Sequence, residues 1–422
     1  MWSSKLFLRT SRTRRLHGLR HLLSQSFSLE QEWASRHVEM AKLGLGGDYE
    51  WISAVQKKFI GGGVASAIDV DAAVYIAEQK DQVDDVVDLV YKLRHSGNAA
   101  DLLPSTEYAL IRLLLRYNPS FLFELANDPI NYGVFMNEHA ACLAIDHFIK
   151  RDDFGGAARL SAWIMQQEMT ENELLNLLVL YSCAKWAELP TEQQTMPSEE
   201  SEVEEVNEED VKTFKFPYLK NPHFDSHFDL TDPHLLVGKT LLWVARDSKS
   251  LPDQIRESFM LLGAVLYNRL DLASTLISPT THGGVANLIS QRLAPPEGQE
   301  PSEEHKELLK KLECCQAAQD TVTSAVASIL ENIREKEEEV LASEQKAEFT
   351  KWDQRRQDLI KAQADRLLLK IRAGEIENEL AELDHYEEKL SFFENRLKWE
   401  EKAKRNQEFM EQNEEEAQKS QA

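Results

Sequence analysis

Three consecutive residues, Gly238, Lys239 and Thr240, have the types that end a phosphate-binding Walker A loop. Such a loop wraps backbone N–H groups around phosphate and needs another glycine five positions earlier, where this chain has Pro233. The apolar residues after Thr240 also continue a helical pattern that begins before the glycine. The sequence therefore predicts an apolar helix at this point and no nucleotide site.

A second cluster contains four side chains of types that ligate metal ions: His223, Asp225, His227 and Asp229. Pro222 and Pro233 interrupt any helix that would gather them. The aromatic residues between 214 and 228 are spaced in a way that suits an extended strap lying in a groove. We therefore interpret residues 213–234 as an aromatic strap and predict no metal site.

Other residues with reactive side chains also lack the spacing that chemistry requires. The glycines at 61–63 are not followed by Lys and Ser or Thr, so we interpret them as a hinge. No C-x-x-C spacing occurs among the four cysteines, which are Cys142, Cys183, Cys314 and Cys315. With no Ser/His/Asp or paired-carboxylate arrangement on a plausible scaffold, we predict no catalytic residue and no cofactor. The protein is predicted not to be an enzyme.

The elements that position these side chains follow a repeat. Asp81–Leu89 resembles Asp152–Leu160, which lies 71 positions later, and a degraded copy, Tyr117–Leu125, lies one step of about 35 residues after the first. An apolar first helix precedes each copy: Ala72–Gln79, Thr106–Tyr117 and Glu138–Lys150. Helix pairs of this length must stack to bury their apolar faces. We predict an all-α solenoid over residues 30–188, and the period fits tetratricopeptide and pentatricopeptide arrays equally.

The first 29 residues contain six Lys or Arg and no acid, among Ser, Thr and Leu. This pattern predicts a mitochondrial presequence and a matrix location, with a disordered basic tail as the alternative. The whole chain carries −24, so removing these six charges leaves −30. Such an acidic chain is not an autonomous nucleic-acid binder, and any RNA contact must be local. No apolar run approaches the length of a membrane span.

Composition divides the rest of the chain. Residues 32–60 fit two short helices that cap the solenoid. After residue 188 we predict an acidic disordered linker (189–212), the aromatic strap (213–234), further helical hairpins (235–294), a Pro-rich spacer (295–302), coiled-coil helices (303–399) and a charged tail (400–422) that is frayed or disordered.

Two heptad rows mark the coiled-coil region. The first row contains Leu308, Leu312, Cys315, Gln319, Val322, Val326, Ile329 and Ile333. The second row contains Ile376, Leu380, Leu383, Leu390 and Leu397, and Glu387 and Glu394 interrupt it. Heptad spacing is loose between the rows, so we expect a hairpin or a bent helix there. The first row can pair with the second row, with another subunit or with a second copy of the chain.

Four segments resemble the mitochondrial small-subunit ribosomal protein family numbered twenty-seven: Tyr91–Ser96, Asn131–Phe135, Asp146–Phe154 and Leu262–Leu266. The resemblance spans most of residues 30–277 and implies a fold of pentatricopeptide type. It implies a structural component of the mitochondrial small ribosomal subunit that contacts ribosomal RNA and other mitochondrial ribosomal proteins. A protein present once per particle is expected to form no homo-oligomer.

Six cations are candidate phosphate contacts, although each also fits a solvated helix end: Lys92, Arg94, Arg112, Arg116, Lys150 and Arg151. Arrays that read bases usually place a small polar residue early in each first helix. The corresponding residues here are Asp71, Glu107 and Cys142, so base-by-base reading is not expected.

Two other functions fit the same features. The repeats of a mitochondrial pentatricopeptide protein can serve RNA processing or stability, and a helical-repeat adaptor can dimerise through a coiled coil. Sedimentation with the small ribosomal subunit through a high-salt wash distinguishes the ribosomal scaffold from both.

Overall fold

The computed structural model describes residues 22–44, 47–197, 230–293, 303–312 and 321–419. These residues form 17 α-helices and no strands, which confirms the all-α prediction. None of the helices in this part of the chain has the length and apolar character needed to cross a bilayer. The chain divides into two compact units, Met1–Asp353 and Gln354–Ala422.

The first ten helices contain the predicted repeats. They are α1 (Glu30–Lys42), α2 (Asp48–Phe59), α3 (Ala67–Ile76), α4 (Val83–Arg94), α5 (Pro104–Tyr117), α6 (Phe121–Asn127), α7 (Pro129–Tyr132), α8 (Glu138–Lys150), α9 (Phe154–Gln166) and α10 (Glu173–Glu188). Helix α3 begins earlier than the predicted Ala72, because the Ser66 side chain accepts a hydrogen bond from Asp69 N and caps the helix at Ala67.

The repeat is visible in these capping residues. Ser66, Asn137 and Asn172 each accept a hydrogen bond from the backbone N–H three residues later, at the starts of α3, α8 and α10. Their positions are 71 and 35 residues apart, which is the period seen in the sequence. Helix α5 lacks a side-chain cap and begins instead with Pro104, a residue that has no N–H to satisfy.

Successive first helices pack in chain order, with α3 against α5, α5 against α8 and α8 against α10. The second helices α4, α6 and α9 pack against the first helices α3, α5 and α8 of their own pairs. This order of contacts supports the predicted solenoid. Helix α10 is buried on almost every side, as expected for a helix that is apolar around its whole circumference.

The remaining helices are α11 (Pro233–Asp247), α12 (Asp253–Leu266), α13 (Leu270–Leu276), α14 (Gly283–Leu293), α15 (Glu303–Leu312), α16 (Val322–Leu390) and α17 (Phe392–Lys419). Helices α11 and α12 approach closely at two glycines. A Cβ on Gly238 would lie 2.5 Å from Tyr267 N, and one on Gly263 would lie 2.8 Å from the Gly238 carbonyl oxygen. Gly238 therefore serves helix packing.

The first heptad row is buried within the body of the protein, where α15 contacts α13 and α14. Its members Leu308, Leu312, Val322 and Val326 are buried in the same core as the repeats. The start of α16 contacts the end of α10, where the Thr323 hydroxyl donates to Glu188. Among the described residues this row is therefore satisfied within the body of the protein and is not left for a second copy.

Further along α16, contacts with the earlier helices continue. Gln345 accepts a hydrogen bond from Asn137, which caps α8, at 2.8 Å. Lys346 pairs with Glu32 of α1 at 2.6 Å, and the ring of Trp352 lies 5.3 Å from that of Tyr108 on α5. The part of α16 up to residue 352 thus joins the last repeat to the first.

Two expectations for the C-terminal region were wrong. We expected a hairpin or a bent helix between the heptad rows, and the hairpin does not form, because α16 is one helix from Val322 to Leu390, a stretch with no proline and one glycine. We also expected a frayed or disordered tail from residue 400, but α17 continues to Lys419. Pairs such as Arg396 with Glu400 at 2.9 Å supply the i,i+4 support that favours a helix without apolar contacts.

Several predicted features lie outside the described residues. They are residues 1–21 of the presequence, residues 198–229 of the linker and strap with all four candidate metal ligands, all of the Pro-rich spacer, and Cys314, Cys315 and Gln319.

The folded body begins earlier in the chain than the predicted presequence boundary at residue 29. Leu22, Leu23, Phe27 and Leu29 are at most 3% exposed and belong to the core. Ser24 N donates a hydrogen bond to Glu338 of α16 at 2.9 Å. Composition alone could not show this, because the same apolar residues also suit an amphipathic presequence.

The burial of two equivalent leucines gives a test of the repeat. Leu89 and Leu160 occupy matching positions in α4 and α9, and both are fully buried. Changing either to Asp should lower the free energy of unfolding by about 3 kcal/mol or more, because an unpaired charge would be buried. Chemical denaturation measures this change.

The control is Val38→Asp, because Val38 lies on the exposed side of α1. That variant should change the free energy of unfolding by no more than about 0.5 kcal/mol. Equal effects of the buried and exposed substitutions would contradict the assignment of the two leucines to the core.

Candidate RNA-contacting groove

A groove of about 740 Å³ runs along α1, α5 and α8, the first helices of the repeats and their cap. Its lining has five cationic side chains: Arg36, Arg112, Arg116, Lys150 and Arg151. Three carboxylates also line it: Glu30, Glu78 and Asp146. The groove therefore carries a positive balance in a chain whose overall charge is −24.

One wall of the groove is built around Trp33 of α1. The Arg36 guanidinium lies 4.4 Å from the centre of the Trp33 ring, and Arg112 of α5 lies 5.1 Å from it. Arg36 Nε donates to the Tyr75 carbonyl at 3.0 Å, and Nη1 donates to the Trp33 carbonyl at 2.9 Å. Burial lowers the pKa of Arg36 to about 10, so the group remains charged at neutral pH.

Arg112 is held by three partners in this wall. Its Nη1 donates to the Ser28 carbonyl at 2.7 Å and to the Tyr108 hydroxyl at 3.0 Å, and its Nη2 donates to Glu30 at 2.6 Å. The side chain is only 7% exposed, whereas that of Glu30 is 72% exposed. Arg112 therefore fixes the N-terminal segment to α5, and most of its hydrogen-bonding capacity is used inside the protein.

The same network continues into the core at His139 of α8. His139 Nε2 lies 2.8 Å from the Phe27 carbonyl, and Nδ1 lies 3.0 Å from the Tyr108 hydroxyl. A carbonyl only accepts, so Nε2 carries the proton, and Nδ1 accepts from Tyr108. Burial, with a smaller contribution from the charge of the nearby Arg112, lowers the pKa of His139 to about 4. Histidine is therefore neutral here.

The groove is more open at the ends of α5 and α8. The Arg116 side chain is 61% exposed and lies 3.5 Å from Glu78, and Lys150 pairs with Asp146 at 2.5 Å. Arg151 is exposed and, within the described part of the chain, has no ion-pair partner. Burial lowers the pKa of the adjacent His147 to about 4, helped by the charges of Arg151 and Lys150. Arg151 is therefore the most available of the three for phosphate, and Arg116 and Lys150 can reach phosphate by exchanging Glu78 and Asp146 for it; these three are the open cations of the groove.

Four of the six predicted phosphate contacts therefore share the groove, and two do not. Lys92 lies on α4 and pairs with Asp88 at 2.6 Å. Arg94 Nε donates to the Ile130 carbonyl at 3.0 Å, next to Gly133. Both side chains bond to groups in their own helix or in a nearby loop, and neither lines the groove.

The residues aligned with base-reading positions do not line the groove either. Asp71 is fully buried and accepts from Ser105 and Thr106 at the start of the next first helix. Glu107 accepts from Phe135 N at 3.0 Å, and burial raises the pKa of its carboxyl to about 7. Cys142 is fully buried, and burial raises the pKa of its thiol. Asp71 and Glu107 therefore join neighbouring repeats, and Cys142 lies in the core.

The Walker-like triplet has no phosphate-binding geometry. Gly238, Lys239 and Thr240 lie inside α11, and the Thr240 hydroxyl donates to the Leu236 carbonyl at 2.7 Å. Lys239 is 3% exposed, and its ammonium lies 5.8 Å from the Trp243 ring. All three residues therefore contribute to the packing of α11 against its neighbours.

The sequence interpretation did not include Arg36 and His147 among the groove residues. Arg36 follows Trp33 at i+3, which places the two side chains on one helix face. That spacing was a usable signal, but nothing in the sequence showed that this face meets α5 and α8.

The neutral His139 predicts that acid weakens the fold. Its folded-state pKa of about 4 lies below the ordinary value of 6.5, so the unfolded chain binds the proton more readily. The stability that neutral His139 contributes is fully present above pH 6.5 and is lost as the pH falls toward 4. We expect the effect of pH on His139 to lower the free energy of unfolding by about 2 to 3 kcal/mol between pH 6.5 and 4.

Urea denaturation between pH 7.5 and 4.5 measures the loss, with His139→Gln as the comparison. Glutamine offers a donor and an acceptor without titrating, so the variant should be less sensitive to pH. A pH dependence that is the same in both proteins would exclude His139 as a source.

A comparison with protein families gives a match over most of the chain. The model of the family described as mitochondrial 28S ribosomal protein S27 matches residues 1–382 of the 422 in this chain. The match covers the repeats, all of the groove and most of α16. The chain therefore belongs to the mitochondrial 28S ribosomal protein S27 family and is a protein of the mitochondrial small ribosomal subunit.

Proposed function

We propose that this protein is a structural component of the small subunit that contacts ribosomal RNA through the groove along α1, α5 and α8 and so supports mitochondrial translation in the matrix. The observation that carries the proposal is the positive balance of the groove lining. Five cations and three carboxylates meet there, although acids outnumber bases in the whole chain, 72 to 48. Local cations are what an acidic protein needs to approach phosphate.

Within the groove, the three open cations contact the RNA and the two buried arginines hold the wall. Arg116, Lys150 and Arg151 can turn toward phosphate, whereas Arg36 and Arg112 are fixed by internal hydrogen bonds. Such contacts recognise the shape and the backbone of RNA without its sequence. The buried positions of Asp71 and Cys142 support this mode over base-by-base reading in a pentatricopeptide-type array.

The family and the burial of the first heptad row support inferences about catalysis, protein partners and oligomeric state. We infer a role without catalysis and with other mitochondrial ribosomal proteins as partners. We infer no homo-oligomer, because the described members of the first heptad row, which the adaptor hypothesis would use for dimerisation, belong to the core of the protein.

The groove gives a direct test in mitochondria that lack the endogenous protein. The double variant Arg116→Gln and Arg151→Gln should weaken retention on the small subunit in a high-salt wash, because two phosphate contacts are lost. Thermal unfolding of the purified variant should remain within a few degrees of the wild type, because both side chains are largely exposed.

The matched control is Lys92→Gln with Lys57→Gln, which removes the same charge from exposed sites outside the groove. It should be retained like the wild type. If control and groove variants are lost equally, net charge and not the groove governs retention, and the proposed RNA contact is wrong.

We also propose that the presequence ends before Leu22 and not at residue 29. The support is the burial of Leu22, Leu23 and Phe27 in the core, together with the hydrogen bonds from His139 and Arg112 to the carbonyls of this segment. A mature chain that began at Glu30 would leave these donors without their partners.

Two shortened chains test this boundary. A chain starting at Leu22 should have the same melting temperature as the full-length chain. A chain starting at Glu30 should melt at least about 10 °C lower, because several apolar side chains are removed from the core. Equal melting temperatures would show that residues 22–29 contribute little to the fold.

A further inference from the structure

The unit Gln354–Ala422 exposes a regular row of large apolar side chains. Its members lie seven residues apart and are between 43% and 75% exposed: Leu369, Ile376, Leu383, Leu390 and Leu397. The row crosses the junction of α16 and α17 without losing its period. Ser391 N donates to Glu387 O, and Asn395 N donates to Ser391 O, both at 3.0 Å, so i→i−4 bonding continues there.

The spacing of this row identifies the kind of surface that would cover it. A strict seven-residue repeat is narrower than the apolar face of a helix in a globular core, and it matches the 3.5-residue period of a coiled coil. The companion positions four residues after each member are Ala373, Leu380, Glu387, Glu394 and Glu401. The occupant that fits such a seam is another α-helix.

The charges around the row exclude two occupants. Residues 375–394 contain eight carboxylates and one Lys, so phosphate groups of RNA would be repelled. A second copy in parallel would place Glu387 against Glu387 and Glu394 against Glu394 at two successive core layers. In an antiparallel pair each of these carboxylates would face an apolar side chain without a partner.

We propose that this row is the docking face for a basic amphipathic α-helix of another protein, with Lys or Arg opposite Glu387 and Glu394. Charged side chains at the core edge of a coiled coil select the partner and its register. The basic helix neutralises two carboxylates that would otherwise oppose burial, and it covers the leucines. The proposal does not depend on the RNA contacts of the groove.

Peptide binding to the purified full chain tests the chemistry of the site. The probe is a synthetic helical peptide of four heptads with leucine at the matching core positions and Lys opposite Glu387 and Glu394. A second peptide is identical except that these lysines are Glu. The Lys peptide should bind about tenfold more tightly or better, which corresponds to about 1.4 kcal/mol.

Two variants of the chain complete the binding test. Leu383→Ser with Leu390→Ser should abolish binding of the Lys peptide, while thermal unfolding stays unchanged because both leucines are exposed. Glu387→Lys with Glu394→Lys should reverse the preference between the two peptides. Equal binding of both peptides, or binding that survives the serine substitutions, would overturn the proposal.

The natural occupant is identified by a photo-crosslinking residue placed at Leu383 in mitochondria, with His385 on the opposite face of α16 as the matched control position. We expect a crosslink from position 383 alone, to a basic helical segment of another protein. A crosslink to RNA, a crosslink to a second copy, or no crosslink at 383 would each contradict the proposal. Because the groove variants are tested separately by high-salt retention, failure here leaves the proposed RNA contact unaffected.

Discussion

The architecture of the larger unit depends on burying Trp33 among groups that come from distant parts of the chain. Its ring makes edge contacts with Tyr75 at 5.2 Å and Tyr108 at 5.3 Å, and it lies 5.7 Å from Phe349 of α16. Helices α1, α3, α5 and α16 thus meet at one side chain. Aromatic contacts of this kind are favourable only when all four helices are in place, so the first repeat, its cap and the C-terminal helix stabilise one another.

Polar groups are buried beside that cluster, and their hydrogen bonds restrict how it can be assembled. Arg112, Tyr108 and His139 form a chain of donors that ends at the carbonyls of Phe27 and Ser28. Each donor would be costly to leave unpaired in the core. The N-terminal segment is therefore part of the fold, and the arginine that secures it also forms a wall of the groove. Stability and the electrostatic character of the groove have a common origin.

Charge is divided between the units in a way that favours different partners. Cations of the groove lie at the C-terminal ends of α5 and α8, whereas carboxylates surround the exposed row of α16. One surface suits phosphate, and the other suits a basic helix. In the proposed function both kinds of contact are used, the groove for RNA and the row for another protein. The net charge of −24 describes neither surface.

The sequence by itself determined the helical class, the 35-residue period and the leucines at 89 and 160, because apolar periodicity and capping residues act within one or two turns. It also placed four cations that meet in the groove, but it could not separate them from Lys92 and Arg94, since nothing local shows which helix faces converge. Only the tertiary structure decided that Arg112 connects the N-terminal segment to α5, that residues 22–29 belong to the core, and that the described members of the first heptad row also lie in the core. Those outcomes depend on contacts between residues more than eighty positions apart, and such contacts leave no periodic signal in the chain.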